Sequence, residues 1–288
     1  MGTLAKNILT LFKLRIGVAM VFTALVGLAI TPGPAPETWQ TLLLAMAIIL
    51  SAGAAGGLNH YYDRDIDSVM DRTQGRPFVT GALPYSPWWL ALFLFLTVMP
   101  VGLVWYYINA TSALHVFLGA FFYGVVYTIW LKRRTWLNIV IGGLAGSFAV
   151  LAGAAVVDPV FSPLPIALAF VLFLWTPSHF WSLAIALKPQ YVSAHIPMLP
   201  VVAGEKVASR AILSNTALLV AASVVPFYYG MGWIYLAGAL LGGGYFLAKS
   251  LQLAFNPGPA LAMSNFRASL VQLMLLLSAV LADQWLPI

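Results

Sequence analysis

The chain contains no cysteine, which excludes disulfides, thiolate metal sites and covalent haem attachment. It is almost as poor in charge. Asp, Glu, Lys and Arg make up 8% of its 288 residues against 61% hydrophobic residues, more apolar material than a soluble core of this length needs. No hydrophilic segment is long enough to form a soluble domain. Strand-like alternation of apolar and polar residues is also missing, which argues against an outer-membrane barrel.

What the chain has in quantity is apolar runs close to the roughly 20 residues that cross a bilayer. Nine are predicted, at about 14–31, 40–62, 88–108, 111–131, 137–157, 163–187, 207–229, 231–250 and 268–287. Helices satisfy their own backbone hydrogen bonds in lipid. The expected fold is therefore all-α, a polytopic membrane protein with a nine-transmembrane-helix bundle, and residues 1–288 form a single membrane-embedded domain. The first run lacks a small-residue cleavage site and is read as a retained helix. With these spans every Lys and Arg, from Lys6 to Arg267, falls on one side, while the opposite loops carry only Glu37, Asp158 and Asp283. The positive-inside rule then places the N-terminus in the cytoplasm and the C-terminus outside. The net charge of +6 suits lipid headgroups or anionic substrates rather than nucleic acid. Two inner connections, roughly 63–87 and 188–209, are much longer than the others and follow the second and sixth spans, a weak sign of internal duplication.

The acids are few, and half of them sit in NHYYDRDIDSVMDRTQGRP, residues 59–77, directly after the second span. Asn59, Asp63 and Asp67 are four apart and make one stripe on a helix, with Asp65 turned to another face. Such a stripe suits magnesium, which binds through a few carboxylates plus substrate phosphates. Downstream, Arg72 and Arg76 flank Thr73 and Gly75, and guanidinium forks suit phosphate oxygens. The two sets read together as a diphosphate clamp. A second cluster, Lys132, Arg133 and Arg134, closes the fourth span, with Tyr127 about one turn deeper. Basic residues there also serve as ordinary topology anchors.

The third cluster, residues 175–205, begins WTPSHFW. Pro177 is expected to kink or break the sixth span. His179 follows within an apolar run, where a polar group is a functional candidate. Trp175, Phe180 and Trp181 offer flat faces for a cation or a planar ring, although an aromatic belt accounts for any one of them. His115 is read as structural. His60 either lines the site or faces another helix, and His195 has no obvious partner.

The first motif resembles the N-x-x-x-D-x-x-x-D signature of the UbiA-type intramembrane prenyltransferases. FKLRI, NHYYDRDIDSVMDRT, YTIWLKRRTWLNIVIGGLAG, and WTPSHFW followed by IPMLPVVAGE are similar, in order, to the blocks of the protohaem IX farnesyltransferase (haem O synthase) family. The resemblance implies transfer of a farnesyl group from farnesyl diphosphate to a vinyl group of haem B, with addition of water. It implies Mg2+ on the diphosphate, held by Asn59, Asp63 and Asp67. Arg72, Arg76, Lys132 and Arg133 would bind the diphosphate oxygens, with Tyr127 near that group. Asp63, Asp67 and His179 would be catalytic, with Trp175 and Trp181 against substrate. Haem B would be a substrate rather than a resident cofactor. The location implied is a prokaryotic cytoplasmic membrane with the site on the cytoplasmic side, and the protein partners are haem A synthase or a terminal oxidase assembly. The chain departs from the family at Ser178, where a second Pro is usual, at Gln190, where an Asp is common, and at Ser147-Phe148-Ala149, where Ala-Pro-Pro is usual. Two alternatives stay open: a UbiA-type enzyme with another acceptor, such as a quinone precursor, and a non-catalytic haem-handling membrane protein.

Overall fold

The computed structural model describes residues 3–160 and 162–286, and among these its regular structure is entirely helical. A short helix α1 (Thr3–Leu11) leads into α2 (Leu14–Ala29), then α3 (Thr38–Tyr62) and a single turn, α4 (Arg64–Ser68). Helices α5 (Trp88–Tyr107) and α6 (Ala110–Phe121) follow, and α6 continues as a π-helical segment, Phe122–Leu131. Next come α7 (Asn138–Gly142), α8 (Leu144–Val157) and α9 (Pro163–Ala186). The remainder is α10 (Lys188–Ser193), α11 (Leu199–Val202), α12 (Glu205–Ala222), α13 (Val225–Tyr228), α14 (Trp233–Phe255) and α15 (Pro259–Trp285).

By length and composition, eight helical stretches among the described residues can cross a membrane. A ninth crossing results if α1 and α2, bent by 44°, are one broken span. The break falls at Lys13, whose φ of 45° and ψ of 45° lie in the left-handed region. That conformation costs a non-glycine residue about 1–2 kcal/mol.

Small residues set the helix spacing, as they do where lipid removes the hydrophobic drive between helices. Gly27 of α2 and Gly153 of α8 face each other's backbones. A Cβ on Gly27 would overlap the Val150 carbonyl, and one on Gly153 would overlap that of Ala24. Helix α9 runs through the interior, with Leu168, Val171 and Ile185 fully or almost fully buried. It is tied to its neighbours by buried polar groups. Asn215 Nδ2 donates to the Leu174 carbonyl (2.6 Å) and to Ser178 Oγ (2.8 Å), and Asn265 Nδ2 donates to Ser182 Oγ (2.9 Å). Side-chain hydrogen bonds of this kind between membrane helices contribute about 0.6–2 kcal/mol each.

Three details refine or differ from the sequence expectations. Of the kink or break expected at Pro177, the break does not occur, since α9 is continuous from Pro163 to Ala186, and neighbouring helices can support the backbone where a proline removes a donor. Helix α14 continues to Phe255 and α15 begins at Pro259, well before the expected 268; residue 287 of the last expected span lies outside the described residues. Lys249 and Arg267 therefore sit inside helices rather than ending them, since a long cationic side chain can reach the interface from a helix flank. Asp283, expected in an outer loop, is buried and accepts the backbone N–H groups of Gly232 (2.6 Å) and Tyr235 (3.1 Å). It caps α14 and places a negative charge at the positive end of that helix.

Candidate active site

A cavity of about 900 Å³ lies among α2, α3, α6, α8 and α9 and the loop after α4. Its lining along α3 passes from Ile48 and Ala52 to Asn59 and His60. One part is therefore apolar, while Asn59, Asp67, Arg72, Arg76 and Lys132 supply the polar part.

Helix α3 ends at Tyr62, and Asp63 is its C-cap. The chain turns at once into α4, with Asp67 N–H donating to the Asp63 carbonyl at 2.8 Å. The one-turn spacing thus survives the break in the helix. Asn59, Asp63 and Asp67 are all buried, at 3%, 0% and 1% exposure. Asn59 Nδ2 donates to Asp63 Oδ2 at 2.6 Å, and Lys132 Nζ donates to the same oxygen at 2.5 Å. Asp63 Oδ1 is buried with no hydrogen-bond partner, and Arg133 Nη2 lies 3.6 Å from it. Arg76 Nη1 reaches Asp67 Oδ2 at 2.5 Å. Burial pushes the Asp67 carboxyl above its ordinary range, and the Arg76 guanidinium works against that shift.

The cationic wall includes a residue that the motifs do not single out. Lys13 Nζ donates to Asn59 Oδ1 at 2.7 Å and to the Tyr123 hydroxyl at 2.8 Å. The strained backbone at the α1–α2 break is what delivers this ammonium to the site. Opposite it, the π-helical segment widens α6. Thr128 Oγ1 donates five residues back to the Tyr123 carbonyl (2.9 Å) and accepts from Asn59 Nδ2 (3.2 Å). The wider turn brings Tyr123 and Tyr127 into a stack with centroids 5.8 Å apart, both lining the cavity. π-turns within α-helices occur frequently at functional sites.

On the α9 side the cavity meets Trp175, His179 and Phe180. Trp181 does not line it. This ring packs beside Trp136 in a buried cluster, with its Nε1 unpartnered, because six residues along a helix carry a side chain about 240° round from Trp175. Arg133 also lies off the cavity. Both of its terminal nitrogens hold the exposed Asp65 at 2.7 Å, and Nη2 also reaches the Tyr62 carbonyl. Gln190 Nε2 donates to Asp71 Oδ2 at 3.2 Å. The structure therefore brings together Asn59, Asp67, Arg72, Arg76, Tyr127, Lys132, Trp175 and His179 around one cavity, with Asp63 directly behind. It leaves Arg133 and Trp181 outside. Lys13, Tyr123 and Thr128 are the additions. Only FKLRI pointed toward the first, and a π-turn leaves no mark in apolar periodicity.

Among the described residues, no group of three or more His, Cys, Asp or Glu side chains is placed to hold a metal. The Asp67 carboxylate and the Asn59 amide nevertheless line one cationic pocket, and directly behind them the buried Asp63 keeps an unpartnered Oδ1. This donor set fits magnesium, which takes one or two protein carboxylates and completes its shell with waters and substrate phosphates.

Residues 20–277 match the model of the UbiA prenyltransferase family. The chain is 56% identical over 278 residues to protoheme IX farnesyltransferase 2 of Paramagnetospirillum magneticum, covering 96% of each chain. It is 42% identical to the protoheme IX farnesyltransferase of Alkalilimnicola ehrlichii, covering 98% of this chain and 94% of that one. Its fold is similar to that of a digeranylgeranylglyceryl phosphate synthase, with a TM-score of 0.80 at 17% identity over 97% of this chain and 98% of that one. It is also similar to a UbiA homologue from Archaeoglobus fulgidus bound to DMAPP and Mg2+, with a TM-score of 0.71 at 18% identity over 97% of this chain and 99% of that one.

Proposed function

The chain belongs to the UbiA prenyltransferase family and is an integral membrane prenyltransferase, and from that premise we propose that it transfers a farnesyl group from farnesyl diphosphate to a vinyl group of haem B, giving haem O and diphosphate. The observation that carries the reading is the buried acidic stripe Asn59–Asp63–Asp67 at one end of an apolar chamber, met by Lys13, Arg76 and Lys132. The near-full-length similarity to protoheme IX farnesyltransferases supports haem as the acceptor. In this reading residues 1–288 work as one membrane domain, with the N-terminus and the polar mouth on the cytoplasmic side of a prokaryotic cytoplasmic membrane. Haem A synthase or a terminal oxidase assembly would be the downstream partner.

An allylic diphosphate leaves slowly because negative charge grows on its oxygens as the C–O bond breaks. Fixed cations at those oxygens lower the barrier, and each donor contributes most in a site that excludes water. Arg72, Arg76, Lys132 and Lys13 would meet the diphosphate, a role supported by their places in the cavity lining. Asn59, Asp63 and Asp67 would hold magnesium, which neutralises charge on the leaving group. In the free protein these carboxylates are occupied by Arg76 and Lys132, so substrate binding exchanges those internal ion pairs for contacts with the phosphates. The farnesyl tail lies along the apolar part of the cavity, where each buried CH₂ contributes about 0.8 kcal/mol. Tyr123, Tyr127 and Trp175 stabilise the allylic cation through their ring faces and keep water from it. The vinyl carbon then attacks C1 of the farnesyl group, water supplies the hydroxyl at the adjoining carbon, and diphosphate and a proton leave.

The test is incubation of the purified protein with haem B, farnesyl diphosphate and magnesium, with the porphyrin product analysed by mass. The reading requires a product heavier than haem B by one farnesyl group and one hydroxyl. Unchanged haem B in the presence of intact protein contradicts it.

A further inference from the structure

One buried titratable side chain is not used by the diphosphate chemistry. His179 sits in the middle of the wall that α9 contributes to the cavity and is 6% exposed. Its imidazole is clamped on both faces, by Trp175 with centroids 4.2 Å apart and planes 20° apart, and by Phe266 at 4.4 Å and 29°. Its edge is fixed as well, with Nδ1 lying 2.6 Å from Ser269 Oγ. Ser269 spends its single hydroxyl proton on the Phe266 carbonyl at 2.6 Å, so its oxygen can only accept from the histidine. Nδ1 therefore carries the ring proton and Nε2 carries a lone pair. The same serine's carbonyl accepts Trp175 Nε1–H at 2.9 Å, so one residue of α15 orients both rings. Nε2 has no hydrogen-bond partner among the described residues. It is not sealed in either, unlike Trp181 Nε1 and His60 Nδ1.

An imidazole that donates Nδ1–H to an oxygen, is held rigid on both faces, and offers a free Nε2 lone pair to a cavity has the build of a metal ligand. The two other histidines that line the cavity are less suited. His60 lies among the cations of the diphosphate end, with Lys13 and Arg76 acting on it. His115 is on α6, beside Ile48 and Val116 in the apolar part that suits the prenyl tail. We propose that His179 Nε2 coordinates the iron of the haem acceptor and so fixes where its vinyl group lies relative to the farnesyl C1, with Ser269 as the positioning residue. This rests on the haem reading above. It adds to that reading an iron–nitrogen bond that farnesyl transfer itself does not require.

The experiment is resonance Raman and optical spectroscopy of the purified full-length protein with ferrous haem B, without farnesyl diphosphate. The expected result is an iron–imidazole stretching band that shifts when the protein's histidines are labelled with ¹⁵N. His179→Ala should lose the band and recover an iron–imidazole band on addition of free imidazole, while His115→Ala keeps it. Ser269→Ala should keep the bond but weaken haem binding by about 10- to 100-fold, the range seen when a partner behind a metal ligand is removed. Haem B bound by His179→Ala with the wild-type band overturns the ligation and leaves the acceptor assignment standing. A wild-type protein that binds haem B without a label-sensitive band does the same, whether or not the variants fold. A wild-type protein that binds no haem B overturns the acceptor assignment itself.

Discussion

Lys13 Nζ and Asn59 Oδ1 are 2.7 Å apart, joining the strained break between the first two helices to the amide that opens the acidic stripe. Lys13 also touches the Tyr123 hydroxyl, so a single ammonium links the start of α2, α3 and the π-helical continuation of α6 in the wall of the cavity. Hydrogen bonds to charged groups contribute about 1.5–3 kcal/mol. Lys13→Met is therefore expected to lower kcat/KM for farnesyl diphosphate by about 10- to 100-fold. Steady-state kinetics at saturating haem B would show it, and a change below twofold would remove Lys13 from the site.

Thr128 holds the Asn59 amide from the other side. Thr128→Val removes the oxygen that accepts Asn59 Nδ2 at 3.2 Å and leaves the carboxamide held by Asp63 and Lys13 alone. The magnesium concentration for half-maximal turnover is expected to rise several-fold, in line with loss of about 1 kcal/mol, while Thr128→Ser retains the wild-type value. Equal magnesium requirements in Thr128→Val and the wild type would show that the amide is oriented by other means.

The crossing of α2 and α8 makes Gly153 a point of close backbone approach. Gly153→Ala is expected to destabilise the bundle by about 1–3 kcal/mol, the usual cost of overpacking. A Cβ at Gly244 would meet nothing within 4 Å, so Gly244→Ala should melt at the wild-type temperature or slightly above. Thermal unfolding in detergent compares the two, and equal melting temperatures would mean that the α2–α8 spacing relaxes without penalty.

Arg133 holds the exposed Asp65 carboxyl below its usual range. The sign of the pH dependence follows from that depression. The pair stabilises the fold above the unfolded carboxyl's ordinary value of about 4, and the contribution is lost as pH falls through the folded value. The melting temperatures of wild type and Asp65→Asn should therefore differ slightly near neutral pH and converge in acid. High salt should shrink the neutral-pH difference. A difference that persists unchanged into acid would exclude the Arg133 pair as its cause.

Much of this architecture was legible in the sequence, because lipid forces each apolar run into a helix and four-residue spacing puts Asn59, Asp63 and Asp67 on one side. That spacing held even though α3 ends at Tyr62, since α4 resumes the same turn. The misses have separate physical causes. Lys13 looked like a topology anchor, because the positive-inside rule accounts for any inner-face lysine and says nothing of a left-handed backbone that turns one inward. Tyr123 came to the site through a π-turn that apolar periodicity does not reveal. Trp181 shares a motif with His179 but not its helical face. Arg133 adjoins Lys132 in sequence, yet Asp65 takes its guanidinium outside the cavity.

The most direct test of the metal-assisted diphosphate site is release of diphosphate from farnesyl diphosphate in the presence of haem B, titrated with magnesium, for wild type, Asp63→Ala and Asp67→Ala. The expected result is magnesium-dependent release by the wild type and release slower by about 100- to 1,000-fold in each variant, with all three helical and inserted in the membrane. Wild-type release that is indifferent to magnesium, or Asp63→Ala releasing diphosphate at the wild-type rate, would contradict it.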